Sequence, residues 1–283
     1  MVTTTQNGIH PDMDEAEYHK QPALSATGMR HLLRSPLHYR HLMDNRKEKA
    51  EFDVGHAAHA KILGTGADVI KIPESVLSKS GSINTLAARE FIEDARAEGL
   101  IPLKAAVAAD VDSMAEAVLA NKKARRLLDM PGRTELSLFA TDPDTGVDIR
   151  GRLDRLTDTG IPIDVKTTAS AQRHKVLRSI VDFGYDIQSE AYRHLVRLVG
   201  GVEPAPMHLI FVESSAPHEV RVVQLSHPDW IAGGEVRMRA AIEIYAQCIN
   251  TDTWPGEDDL DDDIEAIQPS AWYSSEIYPE IEI

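Results

Sequence analysis

The chain has 283 residues, 42% of them hydrophobic, which is enough for a sizeable core and too many for a mainly disordered protein. Its 30 Lys and Arg against 45 Asp and Glu leave a formal charge of −15, which argues against a generally polyanion-binding surface. A single cysteine, Cys248, excludes an internal disulfide, a four-cysteine iron–sulfur cluster and a cysteine zinc site. No apolar run approaches the roughly 20 residues needed to span a bilayer. Met1 to Asp14 lacks the basic start and apolar stretch of a secretory signal, so a cytoplasmic protein without a membrane partner is expected.

The elements are predicted in order as follows. Residues 1–22 form a loose lead-in, and one domain is expected over 23–250. Ser25 caps a helix carrying Met29, Leu32 and Leu33, and Pro36 ends it. Phe52 to Leu63 is a second helix, with Gly55 and His59 on one face. Residues 83–130 are helical, with apolar stripes at Phe91, Ile92 and Ala95 and at Val107, Val111, Met114 and Val118, broken by Gly99 to Pro102. These stripes read as core. Glu135 to Ala140 and Val147 to Leu156 form a hairpin around the turn Asp142 to Gly146. Ile161 to Thr168 is a third strand, Ile180 to Val199 a helix, and Met207 to Glu213 and Glu219 to Leu225 two more strands. A last helix spans Pro228 to Asn250. Residues 251–283 are an acidic tail with Trp272, Tyr273 and Tyr278 near its end. The order of elements predicts a mixed α/β fold.

The charge is unevenly spread. Glu257 to Glu265 holds seven acids and no base, leaving −8 for the rest of the chain. Arg150, Arg152, Arg155, Lys166, Arg173, Lys175 and Arg178 face only three acids over residues 150–178, a local +4. Such a strip can hold DNA within an acidic protein. Taken alone, a solvated face of mixed charge is the plainer reading.

Alternation along a strand puts Arg150, Arg152 and Asp154 on one face. In the next strand Ile161, Ile163 and Val165 point to the core, and Asp164, Lys166 and Thr168 point the other way. Two adjacent strands thus offer two carboxylates and an ammonium group. Hard divalent ions prefer carboxylate oxygens. Such an ion polarises a phosphoryl group and makes a coordinated water more acidic. A lysine beside it can stabilise charge on the reacting phosphate. Asp-x-Lys alone is common; Gly151-x-x-Asp154 followed by Asp164-x-Lys166-Thr167 is more specific.

Gly151–Arg152–Leu153–Asp154 and Asp164–Val165–Lys166–Thr167 resemble the second and third motifs of the RecB-like PD-(D/E)XK nucleases. Gly55 to His59 resembles their first motif and Gln188-x-x-x-Tyr192 their Gln-x-x-x-Tyr motif, all in the family's order. Leu24–Ser25, Ser35–Pro36, Tyr39 and Gly184–Tyr185–Asp186-x-Gln188 resemble the RecE-like group, the domain of exodeoxyribonuclease 8. The likeness covers residues 10 to 275. It implies a restriction-endonuclease-like core, a mixed central sheet flanked by helices, with an N-terminal helical part.

The resemblance also implies Mg²⁺, with Mn²⁺ as substitute, held by Asp154, Asp164, the Val165 carbonyl and His59. Lys166 is then the catalytic lysine, and Gln188 and Tyr192 sit beside the site, touching DNA or holding the lysine. Arg150, Arg152, Arg173, Lys175 and Arg178 are the candidate DNA contacts. A packed, hydrogen-bonded His59 is the plainer alternative for that residue, and a zinc pair of His56 and His59 lacks a third ligand. Glu135 could add a carboxylate, although an exposed glutamate is the commoner outcome.

Three functions are open at this level. The first, implied by the resemblance, is an exonuclease that digests duplex ends from 5′ to 3′ and leaves single strands for an annealing protein. It is of phage or prophage type, in a bacterial host cell, and assembled as a ring of identical subunits. The others are an endonuclease on the same core and a non-catalytic protein binding DNA ends or a partner. The acidic tail reads as a solvated segment or as a DNA mimic.

Overall fold

The computed structural model describes residues 5–11, 13–45, 52–200, 202–260, 264 and 266–269. In chain order the elements are β1 Gly8–His10, α1 Glu15–Lys20, β2 Leu24–Ser25, α2 Ala26–Arg34, α3 Pro36–Asp44, α4 Phe52–Leu63, β3 Val69–Lys71, α5 Leu86–Ala97, β4 Ile101–Leu103, α6 Ala105–Ala120 and α7 Lys122–Leu128. There follow β5 Gly132–Thr141, β6 Asp148–Thr157, β7 Pro162–Thr168, α8 Arg173–Asp182, α9 Tyr185–Val199, β8 His208–Glu213, β9 Val220–Gln224 and α10 Pro228–Thr251.

The main sheet runs β1-β5-β6-β7-β8-β9, with β2 also paired to β6, and is a mixed sheet as expected. β7 and β8 are parallel, joined by α8 and α9 as a parallel pair requires, and β2 runs parallel to β6; the remaining pairs are antiparallel. Both faces are covered. One core packs α2, α9 and α10 against Leu136, Leu138, Ile149, Leu153, Leu209 and Phe211. The other packs α4, α6 and α7 against Ile163, Val165, Ile210 and Val212. Burial on both sides explains why β8 reads as an uninterrupted apolar run. Gly234 lets α10 lie close on α9: a Cβ there would come within 2.5 Å of the Asp186 carbonyl.

Several elements differ from expectation. The lead-in is structured: β1 pairs with β5, and Tyr18 of α1 is buried under the guanidinium of Arg150, 4.5 Å from the ring. Two short elements with no repeating pattern left no sequence signal. The helix expected from Ile180 is two helices, because Gly184, at φ 66°, turns the chain between α8 and α9. Pro36 begins α3 rather than only ending α2, with the Ser35 hydroxyl as cap. The break at Gly99 to Pro102 contains β4, paired with β3. Ser25 caps α2 as expected, accepting from the Gly28 amide. Trp254 folds back to stack on Tyr39, 5.8 Å between ring centres. Trp272, Tyr273, Tyr278 and most of the second half of the acidic run lie outside the described residues. Among the described residues no helix is long and apolar enough to cross a membrane.

Candidate active site

The site lies where β6 loses its neighbour. β5 occupies one edge of β6. On the other edge β2 pairs with Ile149 and Arg150, and β7 pairs only with Arg155 and Leu156. Between these two contacts, over residues 151–154, that edge has no strand partner among the described residues. β7 diverges from β6 beyond Ile163 and continues along β8. Asp154 bridges the fork: its Oδ2 accepts a hydrogen bond from the Val165 amide at 2.7 Å. A side-chain carboxylate thus replaces the missing strand bond.

Alternation holds as expected, with one difference. Asp164 and Lys166 do leave the face of Ile163 and Val165, but the face they join is covered by α9, and Asp164 is only 2% exposed. Gln188 of α9 donates to Asp164 Oδ1 at 2.8 Å and to the Tyr192 hydroxyl at 2.9 Å, and Tyr192 donates to the Arg152 carbonyl at 2.8 Å. The Gln-x-x-x-Tyr pair therefore clamps a carboxylate of β7 to the backbone of β6. It holds Asp164 rather than the lysine, and Tyr192 is buried beneath the surface. The clamp also accounts for Gly151. A Cβ there would meet Leu195 at 2.8 Å and the Tyr192 ring at 2.9 Å.

Lys166 Nζ sits 2.7 Å from Asp164 Oδ2 and 4.7 Å from the centre of the Tyr185 ring. Burial opposes its charge, but Asp164 above all, then Tyr185 and Asp154, outweighs this and raises its pKa above the ordinary lysine value. Tyr185 was not singled out from the sequence. Its signal was its place in Gly184–Tyr185–Asp186-x-Gln188.

His59 of α4 places Nδ1 3.4 Å from Asp154 Oδ2. Burial holds its imidazole below the ordinary histidine pKa; Asp164 and a hydrogen bond to the Val165 backbone oppose this. His56 instead faces Glu15, 3.5 Å away. The side chains of Asp154, Lys166 and His59 are 14%, 18% and 25% exposed, so a substrate can reach them from solvent.

The donor set suits a hard cation in kind. Burial, and next the neighbouring Asp164 carboxylate, push Asp154 well above the usual carboxylate range. The Asp164 oxygen facing Lys166 has no well-directed hydrogen bond. Two close buried carboxylates, one with an under-satisfied oxygen, are what a divalent ion would relieve. In the present side-chain arrangement, no group of three or more His, Cys, Asp or Glu among the described residues converges on a single point. Of the groups expected to hold such an ion, Asp154 and Asp164 are close neighbours, His59 lies beside Asp154, and the Val165 backbone lies beside His59.

The basic strip divides. Arg150 is 3% exposed and donates to the carbonyls of Ala23 and Tyr18. Arg152 donates to Glu135, Ser137 and the Met13 carbonyl. Arg155 reaches the Met130 carbonyl. These three fasten the protein's own chain, so Arg150 and Arg152 differ from the expected DNA contacts. Arg173, Lys175 and Arg178 stand exposed on α8, Arg178 paired with Asp182.

A helix-covered mixed sheet that forks at two aspartates, with a lysine two residues beyond the second, defines the class: a PD-(D/E)XK nuclease-type fold. Within that class the chain belongs to the family described as a PDDEXK-like domain of unknown function, which matches residues 25–262. The crystal structure of a presumptive exonuclease from Eubacterium rectale is similar in fold, with a TM-score of 0.61 at 13% identity, covering 95% of this chain and 99% of that one. The crystal structure of SSO0001 shares 14% identity over 74% of this chain and 89% of that one, with a TM-score of 0.32. No curated protein matches the chain.

Proposed function

We propose that this chain is a Mg²⁺-dependent deoxyribonuclease that digests duplex DNA from its ends, 5′ to 3′, leaving single strands for recombination by strand annealing. The observation that carries the proposal is the convergence of Asp154, Asp164 and Lys166 at the β6–β7 fork, locked by Gln188 and Tyr192. A divalent ion bound at the aspartates would supply Lewis-acid activation of the phosphodiester.

The chain's own residues account for the rest. Asp164, fixed by Gln188, has one oxygen held and the other aimed at Lys166. Lys166, with its raised pKa, stays cationic at neutral pH, which suits it to stabilise negative charge on the reacting phosphate rather than to accept a proton. Arg173, Lys175 and Arg178, exposed on α8 beside α9, are the cations proposed to meet the DNA backbone. A ring of identical subunits would put them on an inner surface and turn the net negative charge outward. An annealing protein is the partner such an enzyme would hand its product to.

The test is digestion of linear duplexes labelled at either 5′ end, beside a covalently closed circle, with Mg²⁺, Mn²⁺ or EDTA. The proposal expects loss of the linear label only, with metal present, and none with Asp164→Asn. Cutting of the circle would replace the exonuclease reading with an endonuclease. Full activity in EDTA, or in Asp164→Asn, would overturn the site.

A further inference from the structure

Phe183 follows the last turn of α8 and is 55% exposed. Its inner neighbour is Tyr185, stacked at 5.8 Å and 30° between ring planes. Tyr185 in turn lies against Lys166. The exposed phenyl ring is thus one ring removed from the catalytic lysine. Leu177 and Val181, four residues apart and so on one face of α8, are 37% and 51% exposed.

A run of arginine and histidine side chains adjoins this ring. Arg30 of α2 donates to the Asp182 carbonyl and packs its aliphatic stem over Gly184, where a Cβ would lie 3.3 Å from Cγ and Cδ. From Arg30 the contacts run to His31 at 3.3 Å, from His31 to the His38 ring at 5.4 Å, and from His38 to Arg34 at 3.5 Å. Among the described residues none of these four side chains forms an ion pair with a carboxylate. Burial and the adjacent Arg30, His38 and Arg34 drive the His31 imidazole down to about 4. His31 is therefore neutral at pH 7, and the charge of the cluster is that of Arg30 and Arg34, neither paired with a carboxylate among the described residues; a protein of net charge −15 that leaves two such guanidiniums on one face of α2 has room for an anion.

We infer that Phe183 and the Arg30–His31–His38–Arg34 cluster form a subsite for unpaired nucleic acid, the ring stacking on a base and the Arg30 and Arg34 guanidiniums meeting the phosphates of the same strand. The inference rests on the nuclease reading of the neighbouring site. Within a duplex every base face is covered by its neighbours, so an exposed ring offers a stacking surface only to a single strand or a frayed end. Cations alone would serve a duplex equally well; the ring selects the unpaired strand.

The test uses the full chain in EDTA, where no cutting is expected, and measures fluorescence anisotropy with a labelled single strand and a duplex closed by hairpins at both ends. Phe183→Ala should weaken single-strand binding roughly 5- to 150-fold, the span of one base stack, and leave the capped duplex unchanged. Phe183→Trp should restore it. Arg34→Glu with His38→Glu should weaken binding and flatten its salt dependence. Unchanged single-strand affinity in Phe183→Ala, or equal loss on the capped duplex, would overturn the subsite while leaving the nuclease reading intact. Failure of the wild-type protein to bind the single strand would likewise overturn the subsite, while the nuclease reading stands or falls with the digestion. Because Phe183 is exposed, an unchanged thermal midpoint in the variant separates lost contact from lost fold.

Discussion

Glu135 lies directly across the β5–β6 ladder from Asp154. Thr134 faces Arg155 and Leu136 faces Leu153, and between them the ladder skips this pair. Glu135 has φ 51°, a left-handed conformation that is strained for any residue but glycine and worst for β-branched ones. Its carboxylate is held by Arg152 at 2.8 Å. Strain of this kind persists where surrounding structure over-determines it, here opposite a candidate metal ligand. Glu135→Gly should relieve the backbone and offset part of the lost ion pair, whereas Glu135→Val should be about 2 kcal/mol less stable than the glycine variant. Urea unfolding of the two variants side by side checks this; equal midpoints would mean that the backbone there is unstrained.

The two motif glycines should behave oppositely. Gly151→Ala drives a methyl into Tyr192 and Leu195 and should cost about 1–3 kcal/mol, with nuclease activity falling alongside as the clamp on Asp164 shifts. A Cβ on Gly55 finds only the Thr167 hydroxyl at 3.9 Å, so Gly55→Ala should leave stability unchanged or raise it by up to about 1 kcal/mol through helix propensity. Denaturant midpoints decide both.

Gln188→Ala frees one oxygen of Asp164 without touching the reacting atoms. By analogy with groups that orient metal ligands, activity should fall about 10- to 100-fold. The signature of a positioning role is a rise in the Mg²⁺ concentration giving half-maximal activity, which a purely structural defect would not move.

Asp142 ties the hairpin turn to two helices, accepting from Thr145, from His194 of α9 and from Arg239 of α10. Burial alone would raise its pKa, but these hydrogen bonds and the Arg239 charge bring it down to about 2. A carboxylate depressed in the folded state adds stability above its ordinary pKa, and that contribution is lost as pH falls toward 2. Asp142→Asn should therefore cost about 2 kcal/mol at pH 7, and the gap between variant and wild type should shrink below about pH 4. A gap constant from pH 7 to pH 3 would show that the contribution does not depend on ionisation.

Local rules made much of this protein legible from its residues alone. Ser25 as a cap, the Asp142 to Gly146 turn, α4 over Phe52–Leu63 and the shared face of Asp164 and Lys166 depend on neighbours a few positions away, and all are present. The four motifs pointed to a PD-(D/E)XK-type domain for the same reason, since each is a short run with fixed spacing.

Tertiary structure decided what depends on distant partners. β2 meets β6 across 125 residues and β7 leaves it after two pairs, and together these open the fork that makes Asp154 and Asp164 a site. The turning inward of Arg150 and Arg152 was settled by an N-terminal segment whose short elements carry no periodicity of their own. A charge on a strand is read from alternation, but whether it faces solvent or a carbonyl depends on which segment comes to cover it.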